Sequence, residues 1–233
     1  MIKFKYLFLF IVMITSAGAV HAENVKSLVL FYDEVEEGVG VQPVRYLINN
    51  DFLRIDNGNE NADFILFDVS KNSIFSINHE DQTVLKIEQR KWTKPVFDFK
   101  TSIKEELMPN APEIFNKPVY NYQVKASEKV CTQVFLIKDT YPEAMQVMYA
   151  YQQILSGQQV ATLQNTPQEM HTPCFLLDQV YHEGGYYQSG LPVQISYSRG
   201  YAKLLKDFKE QGVDTQLFQI PASYEEYKPF TQQ

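Results

Sequence analysis

Apolar and polar residues alternate with period two in short runs along most of the chain, and turn-forming residues separate the runs. A half-buried strand produces this pattern, because successive side chains point to opposite faces of a sheet. Residues 27–32 and 43–48 flank an acidic, glycine-bearing loop, and 52–55 and 63–69 flank Asp56-Asn57-Gly58-Asn59. Residues 73–77 and 83–88 flank Asn78-His79-Glu80-Asp81. Such turns predict hairpins and leave little room for crossover helices. Further strands are predicted at 119–126, 130–138 and 191–197.

Residues 97–107 set two rules against each other. Ser102 and Glu105 imitate a helix capping box, yet Phe97, Phe99, Thr101, Ile103 and Leu107 alternate with polar neighbours, and the alternation favours a strand. Pro109, Pro112 and Pro118 then mark a loop. A helix is predicted from Thr140, with Pro142 in its first turn and Glu143 as capping partner, to an end near Gly157. Its stripe of Ala144, Val147, Met148, Tyr151, Ile154 and Leu155 suits packing on the sheet. Thr172-Pro173 starts a second short helix through Tyr181, so the helical insert covers about residues 140–182. Residues 201–210 read as helix by periodicity, since Tyr201, Leu204, Leu205 and Phe208 share a helical face. The pattern therefore predicts a mainly β (α+β) protein, with a single antiparallel sheet of about eleven strands that closes or nearly closes.

The N-terminus changes the picture by placing the chain outside the cytoplasm. Lys3 and Lys5 precede an apolar stretch, and Val20-His21-Ala22 offers a cleavage site, so residues 1–22 read as a signal peptide cut after Ala22, with the domain at 23–233. The apolar stretch is short for a bilayer span and carries Thr15, Ser16 and Gly18, so no stable membrane anchor is expected. No cysteine follows the cut to take a lipid. In an oxidising compartment the two cysteines, Cys131 and Cys174, are expected to form one disulfide that clamps the helical insert to the strand before it.

With 45% hydrophobic and 14% aromatic residues, 233 residues suffice for a real core. The net charge of −7 becomes more negative once Lys3 and Lys5 are removed, which argues against nucleic acid as a partner. No GxSxG or SxxK motif is present, and the histidines are scattered. His182-Glu183 lacks the HExxH spacing, and Asn57, Asn59 and Asn61 lack the glycine and closing glutamate of a calcium loop. No cofactor, no metal site and no catalytic residue is expected, and an enzyme is the least supported class.

Two stretches carry a family likeness. The segments YLINNDFLRID, ADFILFD and SIFSINHEDQTVLKIE, followed far downstream by Gly190-Leu191-Pro192-Val193, Val213-Asp214, Leu217-Phe218, Ile220-Pro221 and Tyr224, resemble bacterial exported proteins related to the lipoprotein-localisation factors LolA and LolB. The resemblance covers most of residues 44–88 and 190–224. It implies a half-open antiparallel β-barrel with helices across its mouth, a periplasmic location, and a lipid, acyl chain or acylated protein as cargo. It also implies a strand over 201–209 leading to Phe218-Gln219-Ile220-Pro221, and this is preferred to the helix. The internal cysteine pair and the long insert depart from the lipoprotein carriers.

Two functions follow as expectations. The first is a carrier whose pocket is formed by Leu53, Ile55, Leu66, Phe75, Ile77, Leu85 and Ile87 on one face of adjacent strands, with Val147, Met148 and Tyr151 of the helix as a lid. The second is an interaction or sensor module for an envelope protein, using the open sheet and the aromatic rim around Tyr186-Tyr187.

Overall fold

A computed structural model describes residues 23–59 and 61–228; the signal peptide expected over 1–22 lies outside the described residues. The strands are β1 (Asn24–Glu36), β2 (Gly40–Ile48), β3 (Phe52–Asp56), β4 (Phe64–Asp68), β5 (Ser73–Asn78), β6 (Thr83–Glu88), β7 (Thr101–Leu107), β8 (Val119–Ala126), β9 (Lys129–Ile137), β10 (Leu191–Tyr197), β11 (Tyr201–Asp214) and β12 (Glu225–Glu226). Between β9 and β10 come α1 (Pro142–Thr162) and α2 (Pro173–Leu176), the latter continuing as a wider helical turn through Tyr181. All twelve strands form one sheet in the order β12-β6-β5-β4-β3-β2-β1-β11-β10-β9-β8-β7.

The architecture consists of two meanders joined where β11 returns beside β1, with pairing from Asn24↔Asp214 to Glu36↔Tyr201. Every pairing is antiparallel except β12 with β6, so the sheet is mixed. β7 and β12 stand at opposite ends and do not pair, so the sheet is not closed.

The two faces are buried differently. On one, Leu30, Tyr46, Ile48, Leu53, Phe67 and Ile74 meet Met148, Tyr151 and Ile154 of α1. Burying each such side chain contributes roughly 1.5–3 kcal/mol. On the other, Val29, Leu47, Phe64, Leu66 and Ile77 are covered by Phe218 of the C-terminal segment.

Three sequence expectations are corrected by physical detail. Thr140 does not cap α1: its hydroxyl donates to the Lys138 carbonyl at 2.9 Å, and Tyr141 takes the flanking position with a left-handed φ of 51°. Gly157 does not end the helix. A Cβ there would lie 2.9 Å from Nε1 of Trp92, so the glycine seats the indole while the helix runs on to Thr162. The strand predicted from 97 begins only at Thr101, and Phe97 and Phe99 lie against the Tyr181 ring with centroids 6.0 and 5.8 Å away. A 3₁₀ turn over Thr215–Phe218 follows β11, and Asp214 Oδ1 accepts from Gln216 N at 2.9 Å.

β11 explains its own ambiguity. The register passes from Tyr32↔Leu205 to Phe31↔Asp207, leaving Lys206 unpaired in a bulge. One extra residue slips the alternation, so Leu205 and Phe208 reach the same side three positions apart, a spacing that imitates a helix.

Cys131 on β9 and Cys174 on α2 form the disulfide, with Cα atoms 5.0 Å apart. It ties the end of the helical insert to the strand that precedes it.

Candidate functional site

The register distributes the seven strand residues expected on one face over both. Leu53 pairs with Phe67, so the adjacent Arg54↔Leu66 pair points the other way. Phe75 follows Leu66, and Ile77 pairs with Phe64, placing all three on the face away from the helices. Leu53, Ile55 and Ile87 lie on the helix face. Leu85, two residues from Ile87, points to that side and is half-buried. Alternation within a strand fixes which residues share a face, but a one-residue difference in register decides which face that is.

The expected lid is also filled space. Val147, Met148 and Tyr151 are buried in the helix-side core, and the Tyr151 and Phe67 rings are 6.1 Å apart. Tyr186 and Tyr187 are likewise buried, and the Tyr186 hydroxyl bonds that of Tyr197 at 3.0 Å.

An apolar opening lies elsewhere. A cleft of about 460 Å³ is bounded by Phe135 of β9, Val193 of β10, Leu204–Phe208 of β11 and the loop between β7 and β8. Its volume falls within the roughly 300–1,000 Å³ range of small-molecule sites. Helix α1 does not line it. The loop contributes Met108, Ala111, Pro112, Ile114 and Phe115, and it is shaped by its own hydrogen bonds. Ala111 N donates to Met108 O at 3.1 Å, and Ile114 and Lys117 exchange backbone bonds at 3.0 Å in each direction. The two residues between them, Phe115 and Asn116, have φ of 55° and 57°. That is a tight two-residue turn, and it holds a bulky aromatic in the left-handed region, where a side chain costs energy. Lys117 Nζ anchors the turn by donating to the carbonyls of Lys138 and Asp139 at 3.1 and 2.6 Å. Phe115 remains 56% exposed while its ring stands 4.0 Å from that of Phe208. At the rim, Lys206 is 3.4 Å from Asp33 with its side chain mostly in solvent.

Several titratable groups with perturbed environments sit on the helix side. Lys203 Nζ is 2.7 Å from Glu34 Oε1 and donates to the Tyr46 hydroxyl at 2.7 Å. Burial pulls the ammonium pKa down, but Tyr46 and Glu34 outweigh it and raise the pKa above the ordinary lysine value. Burial also raises the Glu34 pKa, and the charge and hydrogen bond of Lys203 reverse that, holding it below the usual carboxylate value. His182 bonds the Tyr122 hydroxyl at 3.1 Å, and burial, aided by the Lys94 charge, lowers its pKa to about 4. Asp178 accepts from the Thr132 hydroxyl, and burial raises its pKa to about 6. These groups satisfy one another and none lines the apolar cleft. Among the described residues, no group of three or more His, Cys, Asp or Glu could hold a metal ion.

Sequence reasoning missed the cleft residues Phe115, Phe135, Val193 and Phe208. One signal was present: Met108, Ala111, Ile114 and Phe115 are apolar residues in a proline-punctuated loop, where solvent exposure favours polar ones.

No family model matches the chain, and no curated protein matches it. Among solved structures, PNGF-II in a C2 crystal form is similar over 86% of this chain and 31% of its own, at 10% identity and a TM-score of 0.39. PNGF-II in a P21 form is similar over 87% of this chain and 31% of its own, at 9% identity and a TM-score of 0.38. The chain thus spans 31% of the length of those neighbours, and a likeness at this level defines neither fold nor activity.

Proposed function

We propose that the protein is a non-enzymatic binding protein of the bacterial periplasm whose apolar cleft takes an acyl chain, carried free, on a lipid or on a protein. The observation that carries this reading is the apolar cleft between β9–β11 and the 108–118 loop, with Phe115 held at its edge. Half a dozen buried methylenes supply about 5 kcal/mol at about 0.8 kcal/mol each, enough for sub-millimolar binding. Lys206 at the rim suits an anionic head group. The resemblance to lipoprotein-localisation factors belongs to the same reading, as does a sheet curved into a half-open barrel.

The test is displacement of a fluorescent fatty acid from the oxidised, mature chain. Saturable binding that weakens in Leu204→Glu supports the proposal, and the partial exposure of Leu204 lets the variant fold. Wild-type protein that binds no acyl probe overturns it and leaves the envelope interaction module as the better reading.

A further inference from the structure

The two ends of the sheet are finished differently. At one, β12 runs beside Thr83 and Val84 of β6, and the remainder of β6 carries the Lys86–Glu88 ion pair. At the other, β7 is exposed over its whole length and has only β8 as a neighbour. The ladder to β8 is framed by Ser127 N donating to Lys100 O and Met108 N to Val119 O, at 2.6 and 2.9 Å. Even-numbered residues therefore bond β8, and Ile103, Glu105 and Leu107 present their N–H and C=O groups outward. An exposed strand edge of this kind is a template for another strand.

From this edge we infer that the partner is a second copy of the chain, joined by antiparallel β7–β7 pairing about a two-fold axis at Glu105. In that register Ile103 of one copy faces Leu107 of the other, and Lys104 faces Glu106. Ile103 and Leu107 are 59% and 50% exposed, so the pairing covers apolar surface that the single copy leaves in water. The central Glu105 pair is tolerated because each carboxylate is held by Lys138. About six backbone hydrogen bonds form from the outward groups of Ile103, Glu105 and Leu107. Sliding by one residue on each strand puts Lys104 against Lys104 or Glu106 against Glu106, and like charges directly opposite repel. The charges that keep foreign strands away from this edge thus admit its own copy in one register. The inference is independent of acyl binding in the cleft.

Sedimentation equilibrium of the oxidised, mature chain tests it. Wild type is expected to dimerise, and Lys104→Glu and Glu106→Lys, each placing like charges across the axis, are expected to weaken the dimer about tenfold or more. An equimolar mixture of the two variants should recover assembly, because positions 104 and 106 are then both acidic on one strand and both basic on the strand facing it. Circular dichroism confirms that both variants fold, as expected for exposed positions. A monomeric wild type, single variants that dimerise like wild type, or a mixture that stays monomeric overturns the inference.

Discussion

Outside the helical layer, two segments cover the sheet in different ways. Over β1–β5 the C-terminal segment seals it: Phe218 stacks on Phe52 with centroids 5.6 Å apart, and Tyr224 bonds Nδ1 of His79 at 2.5 Å. Arg54 fastens that segment from below, donating to Leu217 O at 2.7 Å and to Asp56 at 2.6 Å while lying 3.7 Å from the Phe64 ring centroid. Over β9–β11 the cover is the 108–118 loop, which leaves about 460 Å³. Both halves supply the same kinds of apolar side chain. What separates core from candidate site is whether the covering segment reaches down to fill the surface.

The largest test of this contrast removes the plug from the sealed half. Phe218 is 5% exposed, and Phe218→Ala should destabilise the chain by about 3–5 kcal/mol in urea unfolding, the cost of deleting a large buried aromatic. A loss below about 1 kcal/mol would mean the strap is no more a part of the core than the loop is. Next in size is the disulfide, which anchors the helical layer behind the cleft half. Replacing Cys131 and Cys174 together by Ser should cost about 2–4 kcal/mol, measured the same way. Neither cysteine nor any residue of α2 lines the cleft, so acyl affinity of the folded fraction should stay unchanged. Smaller again is Phe115→Ala at the edge of the cleft. It should leave stability within about 0.5 kcal/mol, as for an exposed position, yet weaken acyl binding about tenfold, or about 1.4 kcal/mol. An equal loss of stability and binding would make Phe115 ordinary packing.

Much of the fold was legible because it is local. β6, β8 and β10 coincide with the alternating segments, and Thr172 caps α2 by accepting from Phe175 N at 3.3 Å, as its place before Pro173 predicts. The disulfide was expected from the even cysteine count together with a leader-like N-terminal pattern. What remained hidden depends on contacts distant in sequence. Gly157 reads as a stop until Trp92 is seen against it, and β11 reads as helix until the bulge at Lys206 is placed opposite β1. The candidate site was the least legible part. Leu66, Phe75 and Ile77 are as apolar as Leu53 and Ile55, and only the register and the C-terminal strap decide that they are sealed beneath Phe218. Nothing local to β9, β10 or β11 shows that the 108–118 loop stands off from them.

The smallest expected effect separates the two halves by pH. In the sealed half, burial pushes the Asp56 pKa up, but hydrogen bonds and charges from Arg45 and Arg54 outweigh it and hold it below the usual value of 3.8. Its contribution to stability is therefore present above that value and lost as pH falls through the lower folded pKa. Asp178, behind the cleft half, behaves oppositely. Burial raises its pKa from 3.8 to about 6, so the folded state binds this proton more tightly than the unfolded state does. Its contribution is full below about pH 3.8 and declines as pH rises through about 6. Asp178→Asn removes that titration while keeping an acceptor for the Thr132 hydroxyl. The variant should gain about 1 kcal/mol on wild type between pH 4 and 7, a figure discounted for the partial exposure of Asp178. Urea unfolding of both proteins at several pH values reads the difference. If the gap does not widen across that window, Asp178 does not carry the slope, and the polar pair behind the cleft stays ionised and solvated in the folded chain.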